Sequence, residues 1–224
     1  MGDTSRERPA YSATVVLQVN DPQDQSGGLV NIQSMGRMSL FVDPIQSEIQ
    51  VLTSASIRER VVESLGMRLA RVPVEEPRSL IMRSVWLSPE TPDFQSYRLA
   101  YNARGTHAQL LAADGALLGE APAGNLMDAG FVRFVVMGIP AALPRVFELQ
   151  TLPARAAASS IVFAAATRPE TNIVDVSLIH YDPVLAPEIL NAGGNSASRA
   201  WREQGRHIRW LARTVHPGPV GQGR

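Results

Sequence analysis

The side chains that could do chemistry are few and scattered. The four His residues are His107, His180, His207 and His216. None belongs to an HExxH element, and no pair has the spacing of a helical metal site. His180-Tyr181-Asp182 puts an imidazole and a carboxylate two positions apart, as an acid–base pair would. The same residues close the strand-like run "TNIVDVSLIHY" and open an Asp-Pro helix start, so a helix cap is expected instead. There is no GxSxG elbow, and a phosphate-binding GxxxxGK[ST] loop is impossible in a chain without Lys. Gly115, Gly119 and Gly124 lack dinucleotide-binding spacing and read as turn residues. Glu75-Glu76 is flanked by Pro and reads as a solvated pair, although carboxylates for glycoside hydrolysis have no sequence spacing of their own. With no Cys, thiolate catalysis, disulfides and Cys-based zinc sites are excluded. No catalytic residue, metal site or cofactor is expected.

The 224 residues, 45% hydrophobic and 19% charged, suit one globular domain with a sizeable core. A formal net charge of zero gives no electrostatic case for nucleic acid or an anionic membrane surface. All 21 basic residues are Arg. The start "MGDTSRERPA" lacks the apolar stretch of a secretion signal. The longest weakly polar run, "AAASSIVFAAA", would span roughly 17 Å as a helix, short of a ~30 Å hydrocarbon layer.

Between its two ends the chain is strongly patterned. "YSATVVLQV" (Tyr11–Val19) reads as a strand. Part of Asn31–Leu40 is expected to be helical, and Asp43-Pro44 starts a helix with Ile45, Ile49 and Leu52 on one face. Ser54 and Ser56 are candidate caps of the next helix. Its stripe is Ile57, Val61, Val62 and Leu65, and Gly66 is its left-handed stop. After a Pro-rich stretch with an extended piece at Leu80–Leu87 come four strand-like runs, "SYRLAYN", "HAQLLAAD", "FVRFVVM" and "RVFELQTL". Asp114-Gly115 is a hairpin turn. Ala-rich "LPARAAASSIVFAAATRPE" predicts a helix, and Asp182-Pro183 opens another running towards Asn191. The expected fold is α+β: a ferredoxin-like βαββαβ base with extra strands, its helices packed on a mixed sheet. One domain over 11–192 follows a disordered lead at 1–10. Residues 193–224 lose the pattern and are expected to be weakly ordered, with at most a helical turn or two around Trp201, His207, Ile208, Trp210 and Leu211.

The stretches "VDPIQSEIQVLTSASI" and "RVVESLGM" resemble the signature of bacterial polysaccharide co-polymerases. These are the Wzz-like chain-length determinants and the periplasmic parts of Wzc- and GumC-like proteins. Their pattern begins with a Tyr-x-Ala strand, here "AYSATVVLQV". The run D-P-x-x-[ST]-E-I-x-x-L-x-S follows, then V-V-x-x-L-G-L. Asp43, Pro44, Glu48, Leu52, Ser54, Val61, Val62, Leu65 and Gly66 stand in the expected places. The second block, "TNIVDVSLIHYDPVLAPEILNA", resembles the family's TN-[IV]-V-[DE]-[IV]-S strand and DP-x-x-A-x-x-[IL]-L-N helix. Thr171, Asn172, Asp175, Asp182, Pro183, Ala186, Leu190 and Asn191 match it.

The resemblance implies a non-catalytic module at the periplasmic face of the bacterial inner membrane. It would form a homo-oligomer and work with a membrane polymerase or export machinery to set the length of O-antigen, capsule or exopolysaccharide. Asp43, Pro44, Glu48, Leu52, Ser54, Asn172, Asp175, Asp182, Pro183 and Asn191 would be structural or oligomer contacts. The Glu48 helix would pack against a neighbouring subunit or carry a solvated face. The family's flanking transmembrane helices, its long helices after the final Asn and the P-loop kinase of some relatives have no counterpart here. A truncated or excised domain is therefore expected, with its tail from Gly193 out of frame. A second reading is a free-standing carbohydrate-binding or export-scaffold domain contacting glycan through Trp86, Tyr97 and Tyr101. A third is an enzyme with a carboxylate site.

Overall fold

The computed structural model describes residues 10–19, 44–73, 76–169, 171, 173–203 and 208–219, the last of these as backbone. The lead before Ala10 and the helix expected within Asn31–Leu40 lie outside the described residues. Tyr11–Val19 forms strand β1, and its alternation turns Ala13, Val15 and Leu17 into the core. Helices α1 (Pro44–Leu52) and α2 (Ala55–Ser64) follow where the spacing of apolar residues predicts them. The Ser54 hydroxyl caps α2, accepting from the Ile57 N–H at 3.4 Å. At the other end Gly66 adopts φ +56°. The Met67 N–H donates to the Val62 carbonyl at 2.8 Å and the Gly66 N–H to that of Glu63 at 3.3 Å, which closes the helix as a Schellman turn.

Residues 69–151 then form eight strands that pair only with one another. These are β2 (Leu69–Arg71), β3 (Met82–Leu87), β4 (Ser96–Tyr101), β5 (His107–Ala112), β6 (Leu117–Pro122), β7 (Leu126–Asp128), β8 (Val132–Val136) and β9 (Val146–Thr151). A five-stranded sheet, β2-β9-β4-β5-β6, and a three-stranded sheet, β3-β8-β7, share one core. Leu99, Leu110 and Leu149 meet Met127, Phe134 and Val136 there. Gly115 at φ +89° completes the predicted turn between β5 and β6. Glu75 lies outside the described residues. Glu76 is not merely solvated, because Arg71 pairs with it.

The chain returns through α3 (Ala154–Ala158), β10 (Phe163–Thr167), β11 (Ile173–His180), α4 (Leu185–Glu203) and β12 (Ile208–Pro219). The first sheet has the order β10-β11-β1-β12. Taken with the helices between them, this is the ferredoxin-like arrangement expected of the base. The base buries a core of its own, separate from that of residues 69–151, so the single domain expected over 11–192 holds two cores. We refer to them as the base lobe and the β lobe.

Three expectations are corrected. The sheets are antiparallel throughout the described residues, not mixed. The crossover from β1 to β10 skips one position, and β11 fills the gap. The Ala-rich stretch is helical only over five residues, because β10 pairs with β11 from Phe163↔Leu178 to Thr167↔Val174. Finally, α4 does not end at Asn191. Its buried stripe runs from Leu185, Ala186, Ile189 and Leu190 through Gly193 and Gly194 to Ala197 and Trp201. The boundary expected after Ala192 therefore falls inside a helix. Gly193 reads as a break in sequence but has a packing role, since a Cβ there would come within 2.9 Å of the Phe163 ring.

Candidate functional site

Two buried arginines tie the lobes together where the chain leaves α2. Arg68 donates to the carbonyls of Leu152 (3.2 Å), Pro89 (3.2 Å) and Thr91 (2.6 Å), and to the Asp93 carboxylate (2.9 Å). Arg78 donates to the carbonyls of Gly66 (2.8 Å) and Leu65 (3.0 Å), satisfying the free end of α2. Asp182 joins them from the base lobe. One of its oxygens accepts from the Val184 and Leu185 N–H groups at 3.0 and 3.2 Å, capping α4, and the other accepts from the Ser79 N–H at 2.8 Å. His180 Nδ1 accepts from the Asp182 N–H at 3.0 Å, so "HYD" builds a cap, as its sequence suggests. Burial pushes the His180 imidazole below its ordinary value. Desolvation likewise lowers Arg78, partly offset by Asp182.

The eight described motif residues are distributed among caps, core and surface and do not converge. Asp43 and Asn172 lie outside the described residues. Pro44 opens α1, Leu52 is buried, and Ser54 caps α2. Glu48 is not solvated: it is buried on α1. It falls three residues after Ile45 and four before Leu52, on the face that packs inward. Asp175 lies on β11 in a bidentate pair with Arg168, both contacts 2.8 Å, which holds its carboxyl below the usual range. Pro183 follows the Asp182 cap, and Asn191 lies half-buried on α4.

Asn191 does border a concavity. A groove of about 1330 Å³ runs between α2, α4 and β3. Ser56, Glu59, Arg60 and Glu63 line it from α2, Glu188, Asn195 and Arg199 from α4, and Arg83 and Trp86 from β3. Burial raises the Glu188 carboxyl, opposed by Arg78 and Arg83 and reinforced by Asp182. Trp86 is 44% exposed. The Arg133 guanidinium lies 4.9 Å from its ring centroid, and Asp128 holds Arg133 at 3.1 Å. Gly66 lets β3 come this close to α2, since a Cβ there would meet the Val85 carbonyl oxygen at 2.6 Å.

The other two aromatics of the glycan-contact reading do not join Trp86. Tyr101 is buried, its hydroxyl donating to the Ile81 carbonyl at 2.8 Å, and burial pushes that hydroxyl far above its ordinary value. Tyr97 is stacked on Phe131 at 5.2 Å. Among the described residues, no group of three His, Asp or Glu gathers as a metal site, and no helix is long and apolar enough to cross a membrane.

No family model matches the chain, and no curated protein matches it. Among solved structures, two crystal forms of FlgL from Xanthomonas campestris show similarity. One is 13% identical at a TM-score of 0.25, covering 53% of this chain and 36% of that one. The other is 14% identical at 0.24, covering 56% and 46%. The match spans less than half the length of FlgL, and likeness at this level carries no argument about fold or function.

The groove, Arg68 and Arg78 had no signature in the sequence. Their partners are mainly backbone carbonyls, which every residue supplies.

Proposed function

We propose that this chain is the base module of a polysaccharide co-polymerase, a non-catalytic unit at the periplasmic face of the bacterial inner membrane. It assembles as a homo-oligomer and acts with a membrane polymerase or export machinery to set the length of a surface polysaccharide. One observation carries the reading. The two sequence blocks that resemble this family, separated by the whole β lobe, come together as one lobe. β1 of the first block pairs with β11 of the second over Tyr11↔His180 to Gln18↔Ile173, and α2 packs on α4 of the second. The described motif residues there serve as caps, core and strand partners, which is what a scaffold asks of them. The test is to delete the gene and resolve the surface polysaccharide by length. A shifted modal length or lost export is expected, and an unchanged profile overturns the proposal.

A further inference from the structure

We infer that the groove between α2, α4 and β3 binds a neutral glycan chain, with Trp86 as its stacking platform. Shape is the first argument. At about 1330 Å³ the groove exceeds the roughly 300–1,000 Å³ of small-molecule pockets. A second concavity of about 570 Å³, over α1 and α2, shares Ser56, Arg60 and Glu203 with it. The two adjoin at these residues, an arrangement suited to a chain.

Charge is the second. Arg60, Arg83 and Arg199 are matched along the lining by Glu59, Glu188 and Glu203. A balanced lining favours neither a polyanion nor a polycation. It suits hydroxyl groups, which accept from guanidinium and donate to carboxylate. The amides of Asn191 and Asn195 offer both functions again.

Trp86 is the third. An exposed indole among such polar groups buries apolar surface only against a ligand that is itself apolar on one face and polar at its edge, as a sugar ring is. Its brace through Arg133 to Asp128 orders the ring before binding, so little conformational entropy is lost when the ligand stacks. The inference rests on the assembly reading for the choice of a polysaccharide over other hydroxylated ligands.

The test is to titrate the 224-residue chain with neutral hexasaccharides of glucose, galactose and mannose, with hexagalacturonate as the anionic comparison, following the indole N–H signals by NMR. A saturable shift is expected in one indole, assigned to Trp86 by its loss in Trp86→Ala. Trp86→Ala and Arg83→Ala, both at exposed positions, should each weaken binding by about tenfold. Arg133→Ala should weaken it less, by loosening the platform. No shift with any neutral hexasaccharide overturns the inference. So does binding of hexagalacturonate alone, or binding that survives Trp86→Ala. A silent titration with an altered polymer profile removes the groove and leaves the assembly role. Glycan binding with an unchanged profile does the reverse.

Discussion

In the β lobe, β4, β5 and β6 pair in order, as do β7 and β8, and the longer pairings, of β9 with β2 and β4 and of β8 with β3, stay within one continuous segment. In the base lobe, β1 lies between β11 and β12, both from the far end of the chain. The first arrangement closes within one continuous segment, whereas the second waits for nearly the whole chain and closes a longer loop. The stem of the β lobe explains how both coexist. Leu69 pairs with Thr151, so the insertion enters and leaves side by side and extends one connection of the base fold. Stability of the base lobe should therefore be sensitive to distant segments, and that of the β lobe should not.

The strongest challenge to this contrast is Trp201→Ala. It empties a fully buried site at the end of α4 and should cost about 3–5 kcal/mol. Hydrogen exchange should show lost protection in β1 and β11 while β4 and β5 keep theirs. Equal loss in both lobes would mean that they unfold as one unit. Asp182→Ala should cost about 2–4 kcal/mol in denaturant unfolding, since it strips the α4 cap and orphans the buried Ser79 N–H. Unlike Trp201→Ala, it should loosen the lobe junction, seen as faster proteolysis near Arg78. Gly66→Ala should cost about 1–3 kcal/mol, because a Cβ at positive φ would meet the Val85 backbone.

Smaller effects follow pH. His180 is held below its ordinary 6.5 by burial, so the unfolded chain takes up a proton that the folded chain resists. Its contribution to stability is whole above pH 6.5 and declines as pH falls below that value. His180→Asn should flatten the slope between pH 7.5 and 5.5 in urea midpoints. The exposed Arg168–Asp175 pair acts lower and more weakly. Asp175 is depressed, so its contribution is present above the ordinary 3.8 and lost as pH falls through the lowered value.

Much of this fold was legible in local pattern. Alternation marked β1 and β11, helical spacing marked α1 and α2, and Gly66 marked a stop that the structure uses. Glu48 was readable too, since its spacing from Ile45 and Leu52 places it on the inward face. What escaped depends on tertiary partners. Ala content favoured a helix where pairing with β11 imposes β10, and Gly193 suggested a break where Phe163 needs room. The groove combines side chains from three elements, and no single segment carries its signal.

The measurement that bears most directly on the assembly role is the length distribution of surface polysaccharide in a gene-deletion strain, complemented either with the intact gene or with Trp201→Ala. The account predicts a shifted distribution on deletion, restored by the intact gene and not by the variant. A distribution indifferent to deletion would contradict it.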